Sequence, residues 1–218
     1  MLPLLVGGPE ARPARLLVIG AHSDDIEIGC GGTILKLVEQ GALSAICWVV
    51  LSGNGDRGAE AEASAHALLN GSVEKRVIVR DFKDGFFPYD GGEIKAFFET
   101  LKKEFSPDII FTHQRQDLHQ DHRVSCELTW NTFRDHLILE YEVPKYDGDM
   151  GSPNVFVPLE DDVCRQKVDH LLDHFASQRD KRWFREDLFS GLLRLRGMEC
   201  QSPTSYAEAF YCRKAVLA

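Results

Sequence analysis

The sequence predicts an α/β fold, a Rossmann-like parallel sheet with helices on both faces, followed by a small C-terminal α+β appendage. Apolar runs of strand length alternate four times with stretches of helical apolar spacing. The runs are continuously apolar, which is typical of strands that are buried on both faces. Strands that alternate with helices in this way predict a parallel sheet between two helical layers. Past Tyr141 the alternation stops, and the remaining segment is expected to form the appendage.

The first predicted strand, residues 16–19, leads into a glycine-rich stretch at 20–32 with the sequence GAHSDDIEIGCGG. Helical apolar spacing follows at 33–40, so we expect a helix that begins within the glycines. A histidine and two adjacent carboxylates therefore lie where the chain leaves the carboxyl end of a strand. Open α/β sheets bind their ligands at this edge.

The later elements follow from the same patterns. Strands are predicted at 43–51, 73–82, 107–113 and 206–213, and helices at 59–69, 93–105, 122–137, 159–175 and 183–193. Turn-forming residues predict loops at 84–85, 88–92 and 143–154. The dipeptide Asn70-Gly71 is expected to end the second helix as a C-terminal cap.

The composition limits the partners and the compartment. The 218 residues carry a formal net charge of −9 and give a pI of about 5.4, whereas nucleic-acid-binding domains present a basic face. No apolar run approaches the roughly 20 residues that cross a bilayer, and residues 1–6 are too short and lack the basic lead of a signal peptide. We therefore expect a cytoplasmic protein with one domain over residues 1–218, and neither a nucleic-acid nor a membrane partner.

The six cysteines, at positions 30, 47, 126, 164, 200 and 212, are spread along the chain. None forms a CxxC pair, and Cys47 falls within a predicted strand. This pattern predicts buried small hydrophobic residues rather than disulfides or a thiolate metal site.

Two clusters of histidine and aspartate follow the first and fourth predicted strands. They are His22 with Asp24 and Asp25, and His119 with Asp121 and His122. Parallel strands place their carboxyl ends along one edge of the sheet, so the clusters are expected to meet there. Two imidazoles and a carboxylate suit Zn²⁺, or another divalent metal, with an open fourth position. Adjacent side chains diverge, so one aspartate is expected to bind the metal while the other accepts a proton from its water.

Three segments also match a known family. They are the AHSDDIEIGCGG block at 21–32, the Asp84-Gly85 pair and the H-x-D-H block at 119–122, in order over roughly residues 15–135. On these segments the chain resembles the LmbE-like (PIG-L) family of zinc-dependent deacetylases. The resemblance implies a Rossmann-like fold and hydrolysis of an N-acetyl group from an N-acetylglucosamine-type sugar or glycoconjugate. It also favours a homo-oligomer.

By motif position, the resemblance implies that His22, Asp25 and His122 hold the metal and that Asp24 is the general base. The family usually has proline where this chain has Ser23. Because that position is not a ligand, the change leaves the implied chemistry in place.

The resemblance further implies that His119 stabilises the developing oxyanion and, when cationic, protonates the leaving amine. Asp121 would hold the His119 imidazole in place. Arg57 and Asp84 resemble residues that contact the substrate. Some members have a tyrosine two residues before the histidine that matches His119, but here that position is Asp117, so a phenol cannot assist there.

Several alternatives stay open. An amidase acting on a thiol conjugate or on a larger N-acyl sugar would use the same metal chemistry. Residues 53–58 (GNGDRG) match G-x-G-x-x-G, which would suit an NAD-type dinucleotide-binding oxidoreductase. Against it, Asp56 would place negative charge near the pyrophosphate, and both clusters would lack a role. An aspartate of the first cluster could instead be a plain helix N-cap.

Two expectations concern residues outside the clusters. His113 ends the fourth strand without a partner at metal-ligand spacing, so we expect an ordinary polar strand terminus. Substrate specificity is expected to lie in the loops at 86–92 and 145–154. Candidates for sugar contacts in the second loop are Tyr146, Asp147, Asp149 and Asn154.

Overall fold

A computed structural model describes residues 12–69 and 73–216. Its elements are β1 (Ala14–Gly20), α1 (Asp25–Glu39), β2 (Leu43–Val50), α2 (Asp56–Leu68), β3 (Glu74–Val79), α3 (Phe87–Glu104), β4 (Ile109–His113), α4 (Gln120–Thr132), β5 (Leu137–Tyr141), β6 (Val155–Leu159), α5 (Asp161–His174), a 3-10 turn (Ala176–Gln178), α6 (Glu186–Glu199) and β7 (Tyr206–Cys212). The strands form a seven-stranded sheet in the order β3-β2-β1-β4-β5-β7-β6. Strands β1 to β5 are parallel, and β7 is antiparallel to both of its neighbours. This confirms the predicted fold class, and the strand order reverses between β1 and β4 as in Rossmann-like sheets.

Helices cover both faces of the sheet, and β1 contributes to both cores. Leu16 and Val18 pack on one face with Trp48 and with residues of α1, α2, α5 and α6. Leu17 packs on the other face with Phe98 and further residues of α3 and α4. The continuous apolar run of β1 thus supplies side chains to both cores, each fully buried residue contributing about 1.5–3 kcal/mol.

Helix α1 begins at Asp25, earlier than the predicted start within the glycines. The glycines lie inside the helix, at positions where its neighbours approach too closely for a larger residue. A Cβ atom at Gly29 would overlap the Tyr141 ring, and one at Gly32 would overlap Leu159. Tertiary packing therefore outweighs the low helical propensity of glycine here.

Helix α3 begins at Phe87, so the predicted loop at 88–92 and the predicted start at Glu93 are wrong. Pro88 is tolerated in the first turn because its missing N–H would have no partner within the helix. Phe87 is fully buried and anchors this turn in the core that contains Phe98. The early start brings the N-terminus of α3 to the carboxyl edge of the sheet.

The C-terminal half differs more from the prediction. The helix predicted at 122–137 ends at Thr132, and Leu137–Tyr141 forms β5 instead. Residues 143–154 carry neither helix nor strand, as predicted, but β6 follows them without having been predicted. The predicted last strand corresponds to β7, which pairs with β5 and β6. The appendage therefore continues the main sheet.

The remaining expectations have mixed outcomes. Four cysteines are buried as predicted, whereas Cys200 and Cys212 are half-buried, and all six are free. Over the described ranges, every helix is too short or too polar to cross a bilayer. The expectations for residues 1–6 and for Asn70-Gly71 lie outside the described residues. The cytoplasmic location and the homo-oligomer stay predictions.

Candidate active site

The two clusters meet beyond the carboxyl ends of β1 and β4, where the strand order reverses. Several groups of three side chains there could hold a metal ion, namely His22, His119 and His122; Asp25, His113 and His122; and His22, Asp84 and Asp121. The three ligands that the sequence implies also form a triangle, called the donor triangle below, of His22 Nδ1, Asp25 Oδ2 and His122 Nε2. The distances are 3.2 Å between the two nitrogens, 3.3 Å from His22 to Asp25 and 3.5 Å from His122 to Asp25. A tetrahedral zinc site with bonds of about 2.0–2.1 Å has ligand–ligand distances of about 3.3 Å. The three atoms thus fit one face of such a site.

Carboxylates contact the other ring nitrogen of both histidines. His122 Nδ1 lies 2.9 Å from Asp117 Oδ2. His22 Nε2 lies 3.1 Å from Asp84 Oδ1 and 3.3 Å from Asp121 Oδ2. A carboxylate on the far nitrogen fixes the tautomer and ring orientation of a metal-binding histidine. This arrangement leaves His22 Nδ1 and His122 Nε2 free to bind a cation.

The electrostatics of the site also suit a cation. Burial alone would raise the pKa of Asp25, but His122, His113 and His22 outweigh it and hold that pKa well below its usual value. Burial lowers the pKa of His122 to about 3, so its imidazole is neutral. An ionised carboxylate and a neutral imidazole are the forms that bind metal ions. Around His22, burial alone would lower the pKa, but the charge of Asp25 and the hydrogen bond that the imidazole donates to Asp121 outweigh burial and raise the pKa well above 6.5, so positive charge is favoured there.

Asp24 lies beside this triangle without joining it. It occupies the N-cap position of α1, but its side chain makes no capping hydrogen bond, so the N-cap alternative has no support for this residue. Its Oδ2 atom is buried and has no hydrogen-bond partner among the described residues. Burial and the neighbouring Asp25 raise its pKa to about 6. A buried carboxylate with a free oxygen and a pKa close to neutrality has the properties of a general base.

The expected contact between the Asp121 carboxylate and the His119 imidazole is wrong. The carboxylate accepts hydrogen bonds from Gly85 N (2.6 Å) and Phe87 N (3.1 Å), in addition to its contact with His22. Asp121 lies in the first turn of α4, and its side chain reaches the start of α3 rather than its own N-cap residue. It therefore joins α3 to His22.

His119 is held by the backbone instead. It is the N-cap residue of α4, and its Nδ1 accepts a hydrogen bond from Asp121 N at 3.3 Å. In the neutral ring the proton then lies on Nε2. The ring is within 4.9 Å of the His22 ring and 4.6 Å of the His122 ring, measured between centroids. His119 is thus placed to donate a hydrogen bond beside the donor triangle.

Arg57 and Asp84 lie next to each other at the outer side of the site. Arg57 Nη1 donates to Asp84 Oδ2 at 2.7 Å, and Arg57 Nε reaches Ser23 Oγ at 3.4 Å. The Asp84 side chain is 47% exposed although it also contacts His22. Both predicted substrate residues therefore form a polar wall that is open to solvent.

His113 has a larger part in the site than the sequence indicated. The interpretation as an ordinary polar strand terminus is wrong, because the side chain is fully buried against the donor triangle. Its Nε2 accepts a hydrogen bond from Ala21 N at 2.9 Å and lies 3.2 Å from Asp25 Oδ2. Its ring stacks on His122 with a centroid distance of 3.9 Å. The available signal was its position at the end of β4, the strand next to β1.

Lys145 connects the 143–154 loop to the site, a role that the sequence did not indicate. Its Nζ lies 3.0 Å from Asp117 Oδ1 and 2.5 Å from Asp149 Oδ2, and none of the three side chains is more than 9% exposed. Asp149 Oδ2 also accepts a hydrogen bond from Leu118 N at 2.7 Å. The loop is thereby attached to the residue that orients His122.

Two of the candidates for sugar contacts in this loop have structural partners instead. The Asp149 carboxylate is used by Lys145 and Leu118 N, as described above. Asn154 forms paired hydrogen bonds with the backbone of Cys212, from Asn154 Nδ2 to Cys212 O and from Cys212 N to Asn154 Oδ1. Both side chains therefore fix the loop, whereas Tyr146 stays exposed.

The glycine-rich segment at 53–58 is packed on itself. A Cβ atom at Gly58 would overlap the carbonyl of Gly53, and one at Gly53 would overlap Val79. The amide of Gly53 donates to Arg80 O, and that of Gly58 donates to Gly55 O. These amides are used inside the fold, so the local geometry does not favour the dinucleotide-binding alternative.

Comparison with known proteins identifies relatives at the level of sequence. The family model PIG-L, described as GlcNAc-PI de-N-acetylase, matches residues 17–133, which is more than half of the chain. The uncharacterized deacetylase YaiS of Escherichia coli K12 is 26% identical over 169 residues, which span 73% of this chain and 89% of that protein. The matched segment contains both clusters.

Solved structures share the fold at lower identity. N,N'-diacetylchitobiose deacetylase from Pyrococcus horikoshii, in complex with its inhibitor MPG, has a TM-score of 0.70 at 23% identity over 90% of this chain and 82% of its own. GalB, the 4-carboxy-2-hydroxymuconate hydratase of Pseudomonas putida KT2440, has a TM-score of 0.74 at 18% identity over 94% and 98%. One of these proteins is a deacetylase and the other a hydratase, so the reaction must be argued from the site.

Proposed function

This chain belongs to the PIG-L family of de-N-acetylases, and on that premise we propose that it is a metal-dependent hydrolase that removes the N-acetyl group from an N-acetylglucosamine-type sugar or glycoconjugate. The observation that carries the proposal is the triangle of His22 Nδ1, Asp25 Oδ2 and His122 Nε2, with edges of 3.2–3.5 Å. Beside it lies Asp24 Oδ2, a buried oxygen without a hydrogen-bond partner among the described residues. A metal-ligand set next to a free base is the arrangement that amide hydrolysis with water requires.

His22, Asp25 and His122 would hold Zn²⁺ or another divalent ion. Such an ion would supply Lewis-acid polarisation of the amide carbonyl and would acidify the attacking water. Asp117 and Asp121 keep the two imidazoles oriented toward it, through the contacts at 2.9 and 3.3 Å. The protein thus supplies both the ligands and the groups that orient them.

Asp24 is the proposed general base. It removes the proton of the water as the water oxygen attacks the amide carbon. A pKa raised to about 6 leaves the carboxylate ionised at neutral pH and still basic enough to accept the proton. When the C–N bond breaks, this proton is available for the leaving amine, and acetate is the second product.

His119 is the proposed stabiliser of the oxyanion. Because Nδ1 accepts from Asp121 N, the Nε2–H group is the one available to the reacting carbonyl oxygen. Single donors of this kind have been worth about 3–4 kcal/mol where measured. Outside the reacting centre, the Arg57–Asp84 pair offers donors and acceptors that match sugar hydroxyl groups.

The first experiment measures acetate release from N-acetylglucosamine by protein loaded with zinc, and after removal of the metal with a chelator. We expect acetate release that disappears with the chelator and returns with zinc.

Asp24→Asn should retain the metal and lose about 10²–10⁴-fold in kcat, the usual contribution of a general base. Parallel assays with N-propionyl and N-butyryl glucosamine test the amidase alternative for larger acyl groups. Absence of acetate from the metal-loaded protein, or a wild-type rate in Asp24→Asn, would contradict the proposal.

A further inference from the structure

His113 lies where the two segments that carry the proposed metal ligands come together. It is the last residue of β4, the strand that pairs with β1 in the sheet. His22 and Asp25 follow β1, whereas His122 lies on α4, which follows β4. The His113 side chain is fully buried. Its position therefore allows one side chain to contact both ligand-bearing segments.

The first contact fixes the backbone beside His22. The amides of Ala21 and His22 are consecutive along the chain, and both donate to side chains. Ala21 N donates to His113 Nε2 at 2.9 Å. His22 N donates to Asp25 Oδ2 at 2.6 Å, and His113 Nε2 lies 3.2 Å from that oxygen. The turn between β1 and α1 is thus held by His113 and Asp25 together.

The second contact fixes the ring of His122. The imidazoles of His113 and His122 stack with a centroid distance of 3.9 Å and an interplanar angle of 22°. Asp117 holds the His122 ring at its edge, through Nδ1 at 2.9 Å. A ring that is held both at its edge and on one face keeps its other nitrogen, Nε2, pointing in one direction.

The nitrogen that His113 leaves unpaired argues against a purely structural role. Its Nδ1 is buried and has no hydrogen-bond partner among the described residues. An unpaired polar atom in the interior costs free energy, and a phenylalanine would fill a similar space without this atom. The benefit of a histidine at this position therefore lies at Nε2, which contacts Ala21 and Asp25.

His113 is better placed behind the ligands than among them. Asp25, His113 and His122 do form one of the groups of three that could hold an ion. However, the amide hydrogen of Ala21 occupies the lone pair of His113 Nε2. An imidazole nitrogen binds a metal through a free lone pair, so this nitrogen is already engaged.

We propose that His113 is a positioning residue of the metal centre, which holds His22, Asp25 and His122 in the geometry that binds a divalent ion. It acts on the first ligand through the Ala21 amide, on the second through Nε2 and on the third through the stacked ring. The inference rests on the metal site of the proposed function but not on the reaction, because it concerns the affinity for the ion.

The test is the zinc affinity of His113→Phe, which keeps a ring for the stack and removes both nitrogens. We expect the affinity to fall about 10–100-fold, as is typical when a residue that orients a metal ligand is changed. His113→Gln offers an amide oxygen to Ala21 N and should recover part of that loss. Titration against a competing chelator reports the affinity without any assay of acetate release. Wild-type affinity in His113→Phe would overturn the proposal.

Thr112→Val is the matched control. Thr112 precedes His113 in β4 and is also fully buried, and its hydroxyl lies 3.2 Å from that of Thr129 on α4. The change removes a polar contact between β4 and α4 that involves none of the ligands. It should lower the free energy of unfolding in urea and leave the zinc affinity unchanged. An equal loss of zinc affinity in Thr112→Val would mean that any destabilisation weakens the site, and the specific role of His113 would be lost.

A measurement on the wild-type protein decides the case in which the His113 variants do not fold. Two-bond proton–nitrogen NMR spectra of the zinc-loaded protein distinguish protonated, hydrogen-bond-accepting and metal-bound histidine nitrogens. We expect His113 Nε2 to be an acceptor and the proton to lie on Nδ1. A protonated Nε2 would overturn the proposal, and a metal-bound Nε2 would overturn it by making His113 a ligand. Absence of acetate release would contradict the deacetylase alone and would leave these zinc measurements as they stand.

Discussion

Asp25 and Glu27 lie two residues apart near the start of α1, and both carboxylates are almost completely buried. Their surroundings give them opposite charge states. For Asp25, three histidines overcome the effect of burial and hold the pKa well below its usual value. For Glu27, burial dominates and raises the pKa to about 8 despite a hydrogen bond from the Ser64 hydroxyl.

The two carboxylates represent two regions of the molecule. Asp25 faces the donor triangle, whereas Glu27 faces the interface of α1 with α2 and α5, where Ser64 Oγ contacts Glu27 Oε1 and lies 2.8 Å from His170 Nε2. Both regions are buried and polar, and both contain histidine. Burial and composition therefore do not distinguish a candidate active site from a structural polar cluster. What distinguishes it is the set of charges around each carboxylate and the donor atoms left free to bind a ligand.

The largest expected effect comes from changing these two carboxylates separately. Asp25→Asn should fail to retain zinc on gel filtration and should lose about 10³-fold or more in acetate release, because a metal ion contributes several kcal/mol to such reactions. Glu27→Gln likewise replaces a carboxylate by an amide of the same shape. It should keep the metal, and its rate of acetate release should remain within a few-fold of wild type. Zinc per chain and acetate release are measured for both. Equal losses in the two variants would show that the comparison misassigns the site.

A smaller effect is expected at the residues that orient a ligand without binding the metal. Asp117→Asn weakens the acceptor for His122 Nδ1, so zinc affinity should fall about 10–100-fold, as is typical when such partners are removed. Lys145→Met should weaken zinc binding through Asp117, and Lys145→Arg should restore part of it by keeping the positive charge. Competition with a chromophoric chelator measures the affinity independently of turnover.

Lys36→Met is the control for the lysine variants, because it removes an ammonium group that donates to Pro158 O, outside the site. It should leave zinc affinity unchanged. If Lys145→Met also binds zinc like wild type, Lys145 fixes only the loop. In that case the contact between the 143–154 loop and Asp117 does not contribute to zinc binding.

The local parts of the site could be predicted from the sequence. Continuous apolar runs identified β1 and β4, and the shared carboxyl edge of parallel strands predicted that the clusters at 22–25 and 119–122 would meet. This worked because strand order is not needed to know that parallel strands end on the same side. The choice of His22, Asp25 and His122 as ligands came from the family resemblance. The proposed metal ligands and the proposed general base lie within a few positions of a strand end, where sequence patterns are informative.

The supporting residues could not be predicted, because their partners are distant in sequence. His113 contacts Ala21 across 92 positions, and no periodicity connects the two. Lys145 and Asp149 looked like loop residues because their burial depends on how the loop folds back on Asp117. The start of α1 differs from the prediction for a similar reason, since the glycine at position 29 serves close packing against Tyr141 of β5, a contact between residues distant in sequence.

The smallest expected effect tests the structural cluster. Burial and the neighbouring His174 lower the pKa of His170 to about 4, below its value of 6.5 in the unfolded chain. Between pH 6.5 and 4 the unfolded state binds a proton that the folded state does not, so this residue destabilises the fold as the pH falls.

His170→Gln removes the titrating group while it keeps a polar side chain near Ser64. The loss of unfolding free energy between pH 7 and pH 5, from urea titrations of metal-free protein, should be smaller in this variant by about 1–2 kcal/mol. The control His66→Gln changes an exposed histidine of α2 and should follow wild type. If the unfolding free energy of His170→Gln and of wild type falls equally with pH, His170 is protonated in the folded protein and burial does not lower its pKa. The cluster around Glu27 and the donor triangle would then differ only in the geometry of their ligand atoms.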